Sequence, residues 1–181
     1  MSDITVRRAT IEEQLEVEAL AKAGGHHTKD FKYLWRLFHG WEDSPPFVAL
    51  IDGKIVGFHA AKFLKKTYVN SYYICVSDTH KRKGVSSKLL EVVLAEAQAR
   101  GLTRFTTKTA TSGEGYPYYL GFGLNPFCVS KQLSVSDTEY VFDFNIQGIT
   151  TTAQLRASAA TPLMPDEKRL VQYRKKYGYQ G

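Results

Sequence analysis

A basic turn that contains glycine, near the middle of the sequence, has the residue types of a phosphate-binding site. An apolar run at 73–76 enters this turn, and apolar residues with helical spacing follow it. The first amides of a helix lack partners within the helix and lie at the positive end of its dipole, so they bind phosphate oxygens. Gly84 lets a ligand approach the main chain, and the small Ser86 keeps the next turn open. We therefore predict a pyrophosphate-binding site formed by the turn and the first helical residues: Lys81, Arg82, Lys83, Gly84, Val85, Ser86 and Ser87.

The spacing of Lys81, Gly84 and Ser86 resembles the cofactor turn of the GNAT acetyltransferases, which reads Arg or Gln, two residues, Gly, one residue, and Gly or Ala. Lys81 and Ser86 depart from this pattern in residue type, but neither change removes an amide donor. A second segment, Tyr-Tyr-Leu-Gly-Phe at 118–122, is similar to the short helix ending in Gly-Phe that follows the next strand in this family. The resemblance covers residues 4–145 and implies a GNAT-like fold with acetyl-coenzyme A as the cosubstrate.

The short helix also contains the candidates for the general acid of acetyl transfer. In the family, a tyrosine five residues before the Phe often protonates the departing thiolate of coenzyme A. Here that register falls on Pro117, which Tyr116 and Tyr118 flank, so the resemblance implies one of these two tyrosines as the acid. The other interpretation is that both pack against the sheet with solvated hydroxyls.

The resemblance further implies where the rest of the cosubstrate lies. The strand before the turn is expected to separate from the strand at 102–109. The pantetheine arm would then form hydrogen bonds with the main chain near Ile74 and Val76, and the thioester would lie between the two strands.

No base is evident for the acceptor amine. Many family members carry a Glu on the strand before the turn, but 68–76 contains no carboxylate. His59, on the preceding strand, is a candidate base that would act directly or through water, as are Asp78 and His80. A histidine that is part of the core is the alternative interpretation of His59.

The cysteines and the remaining histidines predict no further chemistry. Cys75 and Cys128 lie in strand-like runs and pair with no evident histidine, so we expect buried, inert thiols. His26, His27 and His39 have no Cys or carboxylate partners at ligand spacing, so we expect no metal site.

The surrounding sequence predicts an α/β (α+β) fold in which helices flank a mixed, mostly antiparallel central sheet. An Asp-Gly pair at 52–53 between two apolar runs indicates a hairpin. The predicted elements are a strand at 4–7, helices beginning at 10 and 31, strands at 47–51, 55–58, 60–64 and 68–76, a helix at 85–97, a strand at 102–109, a short helix, and strands at 127–133 and 140–146.

The length and charge of the chain indicate how many domains it forms and what kind of partner it binds. The 181 residues suit one domain, at 1–150, followed by an extension at 151–181 with a possible basic helix. The formal net charge of +6 favours an anionic partner; coenzyme A is one, and nucleic acid is possible. No apolar run reaches the ~18 residues of a membrane span, so we expect no membrane partner. With only two cysteines the chain has no disulfide framework to form, so we expect a reducing cytoplasm.

The resemblance to the GNAT family implies transfer of an acetyl group to a small-molecule or peptide amine, which attacks the thioester directly in a ternary complex. Two alternatives stay open: modification of a nucleic-acid base, as in GNAT-like phage enzymes such as Mom, and a non-catalytic module that binds coenzyme A. The family builds its acceptor wall where this chain has an aromatic-rich segment: Tyr33, Trp35, Phe38, His39 and Trp41.

Overall fold

A seven-stranded sheet lies at the centre of the computed structural model, which describes residues 3–24, 31–40, 44, 46–64, 68–132 and 138–159. The strand order is β1-β2-β3-β4-β5-β7-β6. Strands β4 and β5 run parallel and the other neighbours are antiparallel, so the predicted sheet is confirmed. The strands are β1 (Thr5–Arg8), β2 (Phe47–Ile51), β3 (Lys54–Phe63), β4 (Tyr68–Val76), β5 (Arg104–Ala110), β6 (Cys128–Gln132) and β7 (Thr138–Asn145).

Helices cover both faces of the sheet, with a separate hydrophobic core on each. In the described part of the chain these are α1 (Gln14–Ala23), α2 (Phe31–Gly40), α3 (Val85–Ala99), α4 (Gly115–Leu120) and α5 (Thr152–Ala159). Helices α1 and α2 share one core with Phe58 of β3, whereas α3, α4 and α5 share the other with Phe105 and Phe142. Helix α5 falls in the expected extension, and its Leu155 is fully buried in the second core.

The predicted hairpin is confirmed, but the two strands predicted at 55–58 and 60–64 form one strand, β3. Asp52 and Gly53 both have positive φ, as the two central residues of a type I′ hairpin turn require. The polar residue His59 interrupts the apolar alternation, yet it is fully buried and the strand continues through it.

Close packing between α3 and the sheet fixes the start of α3. A Cβ atom on Gly57 would lie 3.0 Å from both the Val85 side chain and the Cys75 carbonyl oxygen. The absence of a side chain at Gly57 therefore lets the first turn of α3 lie directly on β3 and β4, at the end of β4.

Candidate active site

Strands β4 and β5 separate to form a fork, defined by residues 72–76 on one arm and 108–110 on the other. Their parallel pairing ends where Ser71 lies opposite Thr107. Beyond that pair, β4 still pairs with β3 and β5 still pairs with β7. Tyr72 is an extra residue in the β3–β4 ladder, and such bulges bend a strand. The expected separation of the two strands is thereby confirmed.

The main chain of the β4 arm points into the fork. Ser77 N–H donates to the Val56 carbonyl at 2.8 Å, which fixes the hydrogen-bonding alternation between β3 and β4. In an antiparallel pair, every second residue directs its N–H and C=O away from the partner strand. Ile74 and Val76 are in that position, so their polar main-chain groups face β5 and can bind an extended ligand arm.

A cradle, defined as residues 84–87, lies directly beyond the fork. Gly84 has φ +84° and precedes the first residue of α3, and the first helical bond runs from Lys88 N–H to the Gly84 carbonyl at 3.0 Å. The amides before Lys88 therefore have no acceptor within the helix. A Cβ atom on Gly84 would meet no atom within 4 Å, so the space beside Gly84 is open. The cradle fits a phosphate group.

Basic side chains adjoin the cradle, but one of them is already paired. Lys81 Nζ lies 2.7 Å from Asp78 Oδ1 and 2.5 Å from Glu114 Oε1. Hydrogen bonds to the Asp78 and Glu114 carboxylates raise the pKa of Lys81, which stays charged. Arg82 and Lys83 are exposed. The role of Glu114 was not predicted from the sequence.

The two candidate tyrosines of α4 point to different places. Tyr118 Oη donates to the Ser86 carbonyl at 3.1 Å, which brings this hydroxyl to the first turn of α3. Burial raises the pKa of Tyr118, so it stays protonated. The Tyr116 ring instead packs against Tyr140 and Phe142 of β7, at centroid distances of 5.4 and 6.0 Å. Tyr118 is therefore the tyrosine that contacts the cradle.

The candidate base His59 lies behind the apex of the fork. It has no exposed surface, and its Nε2 is 2.8 Å from Ser71 Oγ. Burial lowers the pKa of His59 to about 4, so the ring is neutral at neutral pH. Of the other two candidates, Asp78 is paired with Lys81, and His80 Nδ1 lies 2.8 Å from Ser77 Oγ.

Buried hydroxyl groups surround Ser71 at the apex, and sequence analysis missed them. Thr107 Oγ1 donates to the Ser71 carbonyl at 3.2 Å, and Tyr119 is 2% exposed. Burial raises the pKa of Tyr119, while the nearby Ser71 and Thr107 hydroxyls oppose that rise. Within the described residues, neither Tyr119 Oη nor His59 Nδ1 has a well-aligned hydrogen-bond partner. The signal in the sequence was a third tyrosine in the short helix.

The chain matches the model of the Acetyltransferase (GNAT) family over residues 12–122. It belongs to the GNAT acetyltransferase family. The matched range contains the fork, the cradle and α4, so the GNAT interpretation of these elements rests on the family match as well as on their geometry. A comparison with curated proteins found no match.

Solved GNAT structures share the fold at low sequence identity. Ard1 from Thermoplasma volcanium is 18% identical with a TM-score of 0.69, over 78% of this chain and 97% of the other. The ribosomal-protein-S18-alanine N-acetyltransferase from Escherichia coli is 15% identical with a TM-score of 0.69, over 80% and 95%. Diaminobutyrate acetyltransferase from Paenibacillus lautus, solved with its substrate and coenzyme A, is 16% identical with a TM-score of 0.61, over 78% and 95%.

The aromatic segment predicted as the acceptor wall of this GNAT domain divides between core and surface. Trp35 is buried and donates through Nε1 to the Ile11 carbonyl at 3.0 Å. Phe38 is buried, and its ring packs edge-on against the ring of the exposed Tyr72 in the β4 arm, with 5.4 Å between the ring centroids. Tyr33 is exposed, whereas Trp41 lies outside the described residues.

The remaining candidates are the two cysteines, the other histidines and the C-terminal basic residues. Cys75 donates to the Leu20 carbonyl, and burial raises the pKa of its thiol to about 11; burial likewise raises the pKa of Cys128. The described residues contain no group of three His, Cys, Asp or Glu side chains that could hold a metal. His26, His27 and the basic residues 168–176 lie outside the described residues. No described helix is long and apolar enough to cross a membrane.

Proposed function

We propose that this protein transfers an acetyl group from acetyl-coenzyme A to an amine, which attacks the thioester directly. The observation that supports this proposal is that the cradle adjoins the fork. Amides without an acceptor in the helix begin α3, which packs against the end of β4, where the main-chain groups of Ile74 and Val76 face β5. A ligand with phosphates at one end of an extended arm and a thioester at the other fits that path. The thioester end then lies near Ser71 and Thr107.

The chain's own residues bind and orient this cosubstrate. The amides of 84–87 bind the pyrophosphate, and Lys81, Arg82 and Lys83 add positive charge around it. Coenzyme A supplies the activated acyl thioester. Main-chain groups of Ile74 and Val76 align the arm, so that the acetyl group is presented at the separation of the two strands.

The acceptor amine is proposed to lose its proton to solvent or through ordered water, rather than by contact with His59. His59 is fully buried and its Nε2 lies 2.8 Å from Ser71 Oγ, so this ring nitrogen is already occupied by a hydrogen-bond partner. His59 then acts as a positioning residue that orients Ser71 at the apex.

Tyr118 is proposed as the acid for the departing thiolate, with Tyr116 as the alternative. The Tyr118 hydroxyl donates to the Ser86 carbonyl at the cradle, so it must leave that carbonyl to reach a thiolate in the fork. Burial raises its pKa, so the hydroxyl stays protonated before the reaction and gives up its proton only to a sulfur that carries full negative charge. Tyr116 packs on β7, away from that position.

A thiol-release assay tests the proposal. Acetyl-coenzyme A is incubated with the protein and a panel of primary amines, amino acids, peptides, polyamines and DNA, and free thiol is measured against a control without acceptor. Acceptor-dependent release with an acetylated amine product is the expected result. Release that requires DNA would favour base modification, and binding of coenzyme A without release for any acceptor would favour a non-catalytic module.

A further inference from the structure

An ion pair connects the segments that follow the two arms of the fork, at the open end of the fork. Lys81 follows the β4 arm and Glu114 follows the β5 arm, and the ends of parallel strands meet at one edge of a sheet. The Lys81 Nζ to Glu114 Oε1 distance is 2.5 Å. We call this pair the bridge. The strands separate beyond Ser71 and Thr107, so the apex, the two arms and the bridge enclose the opening between β4 and β5.

Glu114 has no evident structural task apart from the bridge. It occupies the N-cap position of α4, but its side chain makes no capping hydrogen bond. Its carbonyl accepts from Tyr118 N–H, a contact that does not depend on the carboxylate. Lys81 keeps a second carboxylate partner, Asp78, within its own turn. Loss of the Glu114 carboxylate would therefore remove the link between the two sides of the fork, while Lys81 keeps its ion pair with Asp78.

We propose that the bridge is a latch that closes the open end of the fork in the free protein and opens when the pantetheine arm enters. This inference rests on the proposed function, because an arm lies between β4 and β5 only if the protein binds coenzyme A. Phosphate at the cradle favours opening, since its negative charge competes with the Glu114 carboxylate for Lys81. The same residue re-forms the bridge when the product leaves.

The expected effect is modest because both partners are partly exposed, Lys81 by 33% and Glu114 by 77% of their side chains. Exposed ion pairs are weak, so we expect removal of the bridge to raise the association rate and the affinity for coenzyme A about two- to fivefold. The effect should disappear at about 1 M salt, where the Debye length falls to about 3 Å.

A matched pair of variants separates a latch from a simple change of charge. Glu114→Gln and Asp78→Asn each remove one carboxylate from Lys81, at side chains that are 77% and 75% exposed, but only Glu114 spans the fork. Both substitutions keep the side-chain shape, and melting of the ligand-free proteins checks that both fold. Association and dissociation of coenzyme A are then measured by stopped flow for the wild type and both variants.

The latch predicts a rate increase in Glu114→Gln that exceeds any increase in Asp78→Asn by at least about twofold and that salt abolishes. Equal increases in the two variants would mean that charge alone acts, and would overturn the latch. No increase in Glu114→Gln, or an increase that persists in high salt, would overturn it as well. A wild-type protein that binds no coenzyme A would instead refute the proposed function, and the latch with it.

Discussion

Replacing Gly84 with Asp should abolish the response of the protein to coenzyme A. A side chain at φ +84° is strained, at a cost of about 1–2 kcal/mol, so the ligand-free variant should melt roughly 2–8 °C lower. The Asp carboxylate would also place a negative charge at the cradle, where it repels phosphate. Gly148→Asp is the matched control: Gly148 has φ +74°, an added Cβ there would also meet nothing within 4 Å, and it lies in the loop after β7.

The assay is thermal melting with and without coenzyme A at a hundredfold excess over its dissociation constant. Such an excess stabilises the folded state by about 2.7 kcal/mol, which corresponds to roughly 5–11 °C for a chain of this size. The wild type and Gly148→Asp should both show this increase, and Gly84→Asp should show none. An equal increase in Gly84→Asp would refute the cradle as the phosphate site, whereas loss of the increase in both variants would point to strain alone.

Three further predictions concern proton transfer and the core. Burial lowers the pKa of His59 from 6.5 to about 4, so between these pH values the unfolded chain binds more protons than the folded one. The free energy of unfolding of the wild type should therefore fall by about 1.4 kcal/mol per pH unit as the pH drops from 6.5 toward 4. Urea unfolding measures this slope, and His59→Gln should lack the contribution of His59 to it. Tyr118→Phe should lower kcat by ~10²–10⁴-fold with KM for acetyl-coenzyme A retained, while Tyr116→Phe changes kcat little; the opposite result would assign the acid to Tyr116. Leu155→Ala should cost about 2–5 kcal/mol of stability, and a change below ~0.5 kcal/mol would show that α5 is not part of the folded domain.

The features predictable from the sequence are those that local spacing encodes. Apolar periodicity predicted the strands and the helices α1 to α3, the resemblance of 118–122 to the GNAT family predicted α4, Asp52-Gly53 predicted the hairpin, and the turn around Gly84 predicted the cradle. Helix α5 was assigned to a polar tail because Leu155 is its only large apolar residue, and its burial depends on a core built elsewhere in the chain.

The missed parts of the site depend on contacts between distant residues. His59 was left as either a candidate base or a core histidine, because its hydrogen-bond partner Ser71 lies on the next strand and was not identified from the sequence. Glu114 belongs to no motif in the sequence, and its carboxylate accepts a hydrogen bond from Lys81, 33 positions earlier in the chain. Such pairings follow from sheet topology, which spacing along the chain does not specify.

A single-turnover experiment tests direct acyl transfer most sharply. Protein in excess over acetyl-coenzyme A is mixed rapidly with an amine that supports thiol release, and the reaction is followed by the acetylated product, free thiol and the intact mass of the chain. Direct attack in the fork predicts that product and thiol appear together, only with amine, and that the chain gains no acetyl group. Thiol release without amine, accompanied by an acetylated chain that later passes the group on, would contradict this account.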